Sequence, residues 1–283
     1  MHHNETPVLS VRNLTVRYGH GCPECFDVEN SARPMEKNRC MICRTVWAAN
    51  DLSFDVYPGE VLGIVGESGS GKTTLMRSLY FDLPPTSGSA VLRDYMDSKK
   101  NIWEASPAKR RMIRNSIMGM VYQNPILGLR MDYSAASNIA EKIIAAGSRN
   151  AGRMTARATE LLDAVEIPVS RMSEPPRNFS GGMQQRVQIS KALANNPALL
   201  LLDEVTTGLD LSVQAKVLDL IRKIRAKYGI SILLVSHDLA VIRMLADRTI
   251  VMLDGKIVES GLTDQILEDP QHPYTQQLVH SLI

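Results

Sequence analysis

The stretch VLGIVGESGSGKTT, Val61 to Thr74, restricts the fold of this chain more than any other. A short run that is apolar at every position, Val61 to Val65, marks a strand buried on both faces of a parallel sheet. It runs into glycines that fit G-x-x-x-x-G-K-[ST], and LMRSLY follows as the continuation of a helix. A glycine-rich turn in that setting aims successive backbone N–H groups at phosphate oxygens, and the helix N-terminus adds its partial positive charge. Gly66, Glu67, Ser68, Gly69, Ser70, Gly71, Lys72, Thr73 and Thr74 are therefore the candidate cradle for the phosphates of ATP. Lys72 is placed to reach the β- and γ-phosphates, and the Thr73 hydroxyl to ligate Mg2+.

By length alone the 283 residues allow two domains or, equally, one large α/β domain with insertions. Lys plus Arg number 32 and Asp plus Glu 30, a net charge of +2 that gives no reason to expect nucleic acid or an anionic membrane as the main partner. No apolar run approaches the roughly 18 residues of a membrane span, and MHHNETP lacks the apolar centre of a signal peptide. A cytoplasmic protein is expected.

VLSVRNLTVRY (Val8 to Tyr18) and DLSFDVY (Asp51 to Tyr57) alternate apolar and polar residues, which predicts two half-buried, paired strands. The polar stretch between them reads as an insertion into their connection, outside the sheet. From about Asn101 to Asn195 the chain carries apolar residues at three- and four-residue spacing, predicting a helical subdomain over 101–195. LLLL (Leu199 to Leu202) and SILLV (Ser231 to Val235) are again buried strands. Between them Val213, Val217, Leu220, Ile221, Ile224 and Tyr228 line one helix face, with Gly229 as its C-terminal cap. TIVMLDGKIVESG predicts a hairpin turning at Asp254-Gly255. The basic run Lys109 to Arg114 reads as a solvated helix face.

A P-loop needs an acidic strand end to hold the metal, and LLLLDE supplies Asp203 for Mg2+ through water, with Glu204 beyond it as candidate general base. FSGGMQQR (Phe179 to Arg186) resembles the signature loop of the ATP-binding cassette ATPases. Gln123 in VYQNP resembles their Q-loop, Asp210 in TTGLD their D-loop, His237 in VSHD their switch histidine and Tyr18 their adenine-stacking aromatic. The match runs from about Val8 to the C-terminus. It implies a single ATP-binding cassette domain over 1–283, with a P-loop parallel core sheet, an antiparallel β subdomain and a helical signature subdomain. It also implies an ATPase in which two copies face head to tail, so that Ser180, Gly181 and Gly182 of one meet the γ-phosphate held by the other. Gln123 joins Thr73 and Asp203 at Mg2+, and His237 orients the water activated by Glu204. Two departures stand out: Met183 replaces a common glutamine after SGG, and Val205 replaces the proline of DEPT.

The tail LEDPQHPYTQQLVHSLI and the SGGM signature resemble the ATPases of dipeptide and oligopeptide importers. GLR, then VEIP, RNFSGGMQQR and LTDQILEDPQHPYTQ, together with the insert in the first hairpin, are similar to the K-type ATP-binding subunits of the bacterial carbon–phosphorus lyase complex. That likeness implies docking on soluble lyase core subunits that process phosphonates. All four cysteines fall in the insert, over 19–47, as Cys22-x-x-Cys25 and Cys40-x-x-Cys43, separated by 14 residues. This is near the spacing of a closed, structural four-cysteine zinc site, so Zn2+ is the first expectation. An iron–sulfur cluster is the other metal reading, and disulfides are disfavoured in a reducing compartment. The insert is expected to lie near the adenine end of the site, away from the γ-phosphate.

Overall fold

The computed structural model describes residues 6–26 and 34–280. Strands β1 (Leu9–Tyr18), β2 (Met35–Glu36), β3 (Arg39–Cys40), β4 (Val46–Val56), β5 (Val61–Val65), β6 (Ser87–Leu92), β7 (Met118–Val121), β8 (Leu199–Asp203), β9 (Ser231–Ser236), β10 (Arg248–Leu253) and β11 (Lys256–Leu262) make two sheets. One is antiparallel, in the order β2-β3-β4-β1-β6. The other, β11-β10-β5-β9-β8-β7, is parallel from β10 to β7, with β11 closing its edge as the second arm of a hairpin.

The apolar runs are explained by what covers each face of the parallel sheet. Val61, Leu200, Leu202, Ile232 and Leu234 point into a core shared with the helices. Leu62, Ile64, Leu199, Leu201, Leu233 and Val235 point into a second core shared with the antiparallel sheet. A strand covered on both sides has no face left for polar residues. Each such side chain contributes about 1.5–3 kcal/mol by leaving water, so the central sheet is the most firmly held part of the molecule.

The hairpin turns at Asp254 and Gly255 as expected, both with positive φ (49° and 77°), as a twist-matched two-residue turn requires. Gly229 caps the helix Leu211–Tyr228 in the left-handed conformation.

Four expectations need adjustment. The strand read from Asp51 begins at Val46, because VWAAN continues the pairing with β1. The cysteine insert does join the sheet: β2 and β3 form a small hairpin whose Arg39 pairs with Val46 of β4. The 101–195 region is not wholly helical, since Met118–Val121 enters the parallel sheet beside β8. Finally, Arg114 is not on a solvated face. Its guanidinium lies 4.4 Å from the Tyr80 ring centre and 3.3 Å from Asp82, in a cleft where Lys142 Nζ also donates to the Tyr80 hydroxyl (2.7 Å).

Candidate functional site

Parallel order places the C-terminal ends of β5, β9, β8 and β7 side by side, and every loop that leaves them carries a predicted site residue. The P-loop follows β5, His237 follows β9, Glu204 follows β8 and Gln123 follows β7. Ligand sites of parallel sheets form at such ends because the loops there converge without competing for the core.

The P-loop is wedged between the two sheets. A Cβ on Gly66 would lie 2.1 Å from the Met252 carbonyl oxygen, and one on Gly71 1.8 Å from that of Ala48, so neither position tolerates a side chain. The Gly255 N–H donates to Ser70 O (3.1 Å) and ties the loop to the β10–β11 turn. Lys72 is buried, and its Nζ donates to the carbonyls of Gly66 (2.7 Å) and Glu67 (2.8 Å) and to Ser70 Oγ (3.3 Å). Burial lowers its pKa, opposed by the nearby charges of Glu204, Asp203 and Glu67. Tyr18 is exposed at the end of β1, with its hydroxyl 3.3 Å from Thr74 Oγ1.

Thr73 Oγ1 donates to Asp203 Oδ1 at 3.2 Å. Gln123 Nε2 donates to Glu204 Oε2 at 3.0 Å, which leaves the Gln123 amide oxygen as an acceptor. The Thr73 hydroxyl and Asp203 carboxylate, in contact, and the Gln123 amide at the next strand end offer oxygen donors of the kind Mg2+ takes. Glu204 has φ 47°, a left-handed conformation for a residue with a side chain, and its N–H donates to Val235 O (3.0 Å). That backbone turn directs the carboxylate to the strand ends. There Oε2 meets Gln123 Nε2, the Thr207 hydroxyl (3.2 Å) and His237 Nδ1 (3.2 Å). These three polar contacts are gathered on one carboxylate oxygen of Glu204.

The signature residues stand apart. Ser180 caps the helix Gly181–Leu193 by accepting from the Met183 N–H (3.4 Å), and Asp210 precedes the helix Leu211–Tyr228 with its carboxylate unused as a cap. Among the described residues, no hydrogen bond or ion pair joins Ser180, Gly181, Gly182 or Asp210 to the P-loop. Signature and D-loop do pack on each other: a Cβ on Gly182 would sit 2.4 Å from Val213 Cγ1, whereas one on Gly181 meets Leu209 only at ordinary contact distance, 3.6 Å. Val205 is buried among apolar neighbours, so the turn that lacks proline is fixed by packing.

Two residues escaped the sequence reading. Gln185 and Gln188 are buried on the signature helix and hold the Q-loop by its backbone. Gln188 Oε1 accepts from Tyr122 N (2.7 Å), and Gln185 Nε2 donates to Gln123 O (3.1 Å). Buried polar groups require partners. Two glutamines three apart within an apolar helix face were the available signal.

The cysteines converge. Cys22 and Cys40 Sγ are 3.7 Å apart, Cys25 and Cys43 Sγ 3.8 Å, and all four lie within 4.8 Å of one another. A tetrahedron of thiolates at Zn–S distances near 2.3 Å has edges of about 3.8 Å, so the cluster fits a single tetrahedral ion. The Thr45 hydroxyl and backbone N–H bring Cys43 down to about 6, toward the thiolate a metal requires, while loss of hydration pushes Cys22 up. Phe26 packs edge-on to Trp47 (5.7 Å between centres) and anchors the insert on β4. The insert also comes closer to the phosphate cradle than expected: Lys37, in the β2–β3 turn, lies 3.7 Å from the Glu67 carboxylate.

Three outcomes are expected. Glu204→Gln retains ATP binding and lowers turnover by roughly 10²–10⁴-fold, the usual contribution of a general base; turnover near wild type would remove Glu204 from that role. Burial pushes Asp203 up to about 6. The folded chain therefore binds this proton more readily than the unfolded chain does. Ionising Asp203 costs stability above about pH 6, and that cost fades as the pH falls toward the ordinary carboxylate range. Asp203→Asn should consequently melt no lower than wild type at pH 7 without nucleotide. The Mg2+ needed for half-maximal hydrolysis by wild type should rise about tenfold per unit below pH 6. A destabilised Asn variant, or a flat Mg2+ requirement, would contradict this.

Residues 49–207, more than half of the chain, match the family described as ABC transporter. The chain is 48% identical over 98% of its length, and 98% of the relative's, to PhnK of Escherichia coli (strain K12), described as a phosphonates utilization ATP-binding protein. It is 38% identical, over 84% of this chain and 67% of the relative, to the oligopeptide transport ATP-binding protein OppD of Bacillus subtilis (strain 168). Its fold matches the dimeric post-hydrolysis state of the ATP-binding cassette MJ0796 bound to ADP and Pi, with TM-score 0.73 and 26% identity over 90% of this chain and 98% of that one. With the P-loop, Asp203 and Glu204 assembled on one sheet edge, the chain belongs to the ATP-binding cassette family and is an ATPase.

Proposed function

We propose that this chain is the ATP-hydrolysing subunit of a carbon–phosphorus lyase assembly for phosphonate breakdown, acting in the cytoplasm as a head-to-tail pair on a soluble enzyme core. The observation that carries this reading is the end-to-end likeness to PhnK, a protein described by its part in phosphonate utilization. It accords with the lack, among the described residues, of any helix long and apolar enough to cross a membrane.

In this reading Lys72 and the P-loop N–H groups hold the phosphates, and Thr73, Gln123 and Asp203 hold Mg2+. The ion, when bound, neutralises β- and γ-phosphate oxygens. Glu204 takes a proton from water as the water oxygen bonds to the γ-phosphorus and the bond to the β–γ bridging oxygen breaks. His237 orients that water. Ser180, Gly181 and Gly182 of the second copy donate to the γ-phosphate, and Asp210 lies across the same seam. Gln123 carries the state of the γ-phosphate to the signature helix through Gln185 and Gln188. Tyr18 stacks on adenine.

The four cysteines hold one structural Zn2+. The compactness of the cluster favours a single ion over a multi-iron cluster, whose thiolates must stand further apart. The ion stabilises an insert with too few apolar residues for a core of its own.

The second reading, a peptide-importer ATPase, rests on the likeness to OppD. Purification of the untagged chain from its own cells under native conditions separates the two: a soluble multi-subunit partner is expected, and co-purifying integral membrane proteins would overturn the lyase reading. Replacing Cys40 and Cys43 by Ser should release one zinc per chain by mass spectrometry and loosen the insert, with Glu204 chemistry retained. No metal in freshly purified, reduced wild type would overturn the zinc assignment.

A further inference from the structure

The P-loop motif specifies nothing at its second residue, yet Glu67 is held there by an element far away in the chain. Its backbone N–H donates to the Tyr274 hydroxyl at 2.7 Å. Tyr274 lies in the C-terminal helix Pro273–His280, and the entry to that helix is fixed by Glu259 of β11. The Glu259 carboxylate accepts the N–H groups of Gln271 (2.8 Å) and His272 (3.0 Å). The Tyr274 N–H is itself taken by His272 Nδ1 (3.2 Å), and the next residue, Thr275, is fully buried. The phenol is therefore delivered by a well-anchored helix and packs against the core beneath the sheet edge.

The same Glu67 peptide is held at its other end by Lys72, whose Nζ bonds to the Glu67 and Gly66 carbonyls. Those carbonyl bonds are the ones Lys72 must give up to reach a phosphate. The Glu67 carbonyl also accepts from the Ser70 N–H (3.2 Å), a bond internal to the loop; the Tyr274 hydrogen bond is the backbone grip that ties this residue to an element outside the loop without involving Lys72. An N–H committed outward to a phenol also cannot donate inward to phosphate, so the Glu67 N–H serves as an anchor point for the loop. The Lys37–Glu67 contact is longer, at 3.7 Å, and both side chains are largely exposed, so it contributes little by comparison.

We propose that Tyr274 is a positioning residue for nucleotide binding: its hydroxyl keeps the first turn of the P-loop in its phosphate-binding shape while Lys72 moves from loop carbonyls to phosphate. The C-terminal helix is thereby part of the nucleotide site, and this holds whichever larger assembly the chain serves.

Tyr274→Phe tests this, because it removes the acceptor and leaves the packed ring. With full-length protein and Mg2+ present, titration calorimetry should show affinity for ATP and for ADP falling roughly two- to tenfold, the range for loss of one hydrogen bond. The KM for ATP should rise in step, with kcat held within about twofold and the unfolding midpoint without nucleotide within about 2 °C of wild type. Unchanged affinity would overturn the proposal. A fall in kcat with KM unchanged would overturn it too, and so would an affinity loss that accompanies a lowered midpoint, because the role would then be general packing.

Discussion

The arrangement of the site depends on one carboxylate oxygen. Glu204 Oε2 is where the loops leaving β7, β8 and β9 meet, through Gln123, Thr207 and His237. Nothing local to any one of these loops creates that meeting. It follows from the strand order β5-β9-β8-β7, which sets four C-terminal ends in a row, and from the left-handed backbone at Glu204, which aims the side chain along them. That conformation costs on the order of 1–3 kcal/mol for a residue with a side chain, and the doubly covered sheet behind it supplies the rigidity to maintain it.

A second constraint joins this hub to the helical subdomain. Gln185 and Gln188 grip the backbone at Tyr122 and Gln123, so the Q-loop cannot move without engaging the helix that begins at the signature. Within one turn of Gln185, at the N-terminal end of that helix, Gly182 lies against Val213 of the helix that follows the D-loop. Met183 contacts Arg171 through its sulfur at 3.5 Å and packs partly into the core, so the departure from the commoner SGGQ exchanges a polar group for local packing. The backbone of the Q-loop and the first residues of the signature are therefore joined through less than one turn of a single helix.

Much of this was legible in the sequence, for identifiable reasons. The P-loop is a backbone requirement: Gly66 and Gly71 are pressed against the Met252 and Ala48 carbonyls, and only glycine fits. The cysteine spacing encodes a tetrahedron, and the pairs come together as the C-x-x-C repeats suggest. What the sequence hid was tertiary. MGMV is too short to declare itself a strand between helical segments, and it becomes one because β8 offers a free edge. Arg114 reads as surface in a basic run, and Tyr80 and Asp82 draw it inward. The contact of Tyr274 with Glu67 spans 207 positions, and no local pattern reports a hydrogen bond of that range.

In the proposed head-to-tail pair, a single chain assembles the P-loop, Asp203, Glu204, Gln123 and His237, while its Ser180, Gly181 and Gly182 serve the second copy. Complementation tests it directly. Lys72→Ala cannot hold the phosphates, and Ser180→Arg cannot serve the partner's phosphates. Each alone should hydrolyse ATP at background rates, but their mixed dimers contain one site with both an intact P-loop and an intact signature. The measurement is ATPase rate on mixing the two inactive variants. Recovery of hydrolysis, up to roughly a quarter of the wild-type rate if each intact composite site turns over independently, is the predicted result. A mixture that stays inactive although mixed dimers have formed, or a Ser180→Arg variant that is fully active by itself, would contradict it.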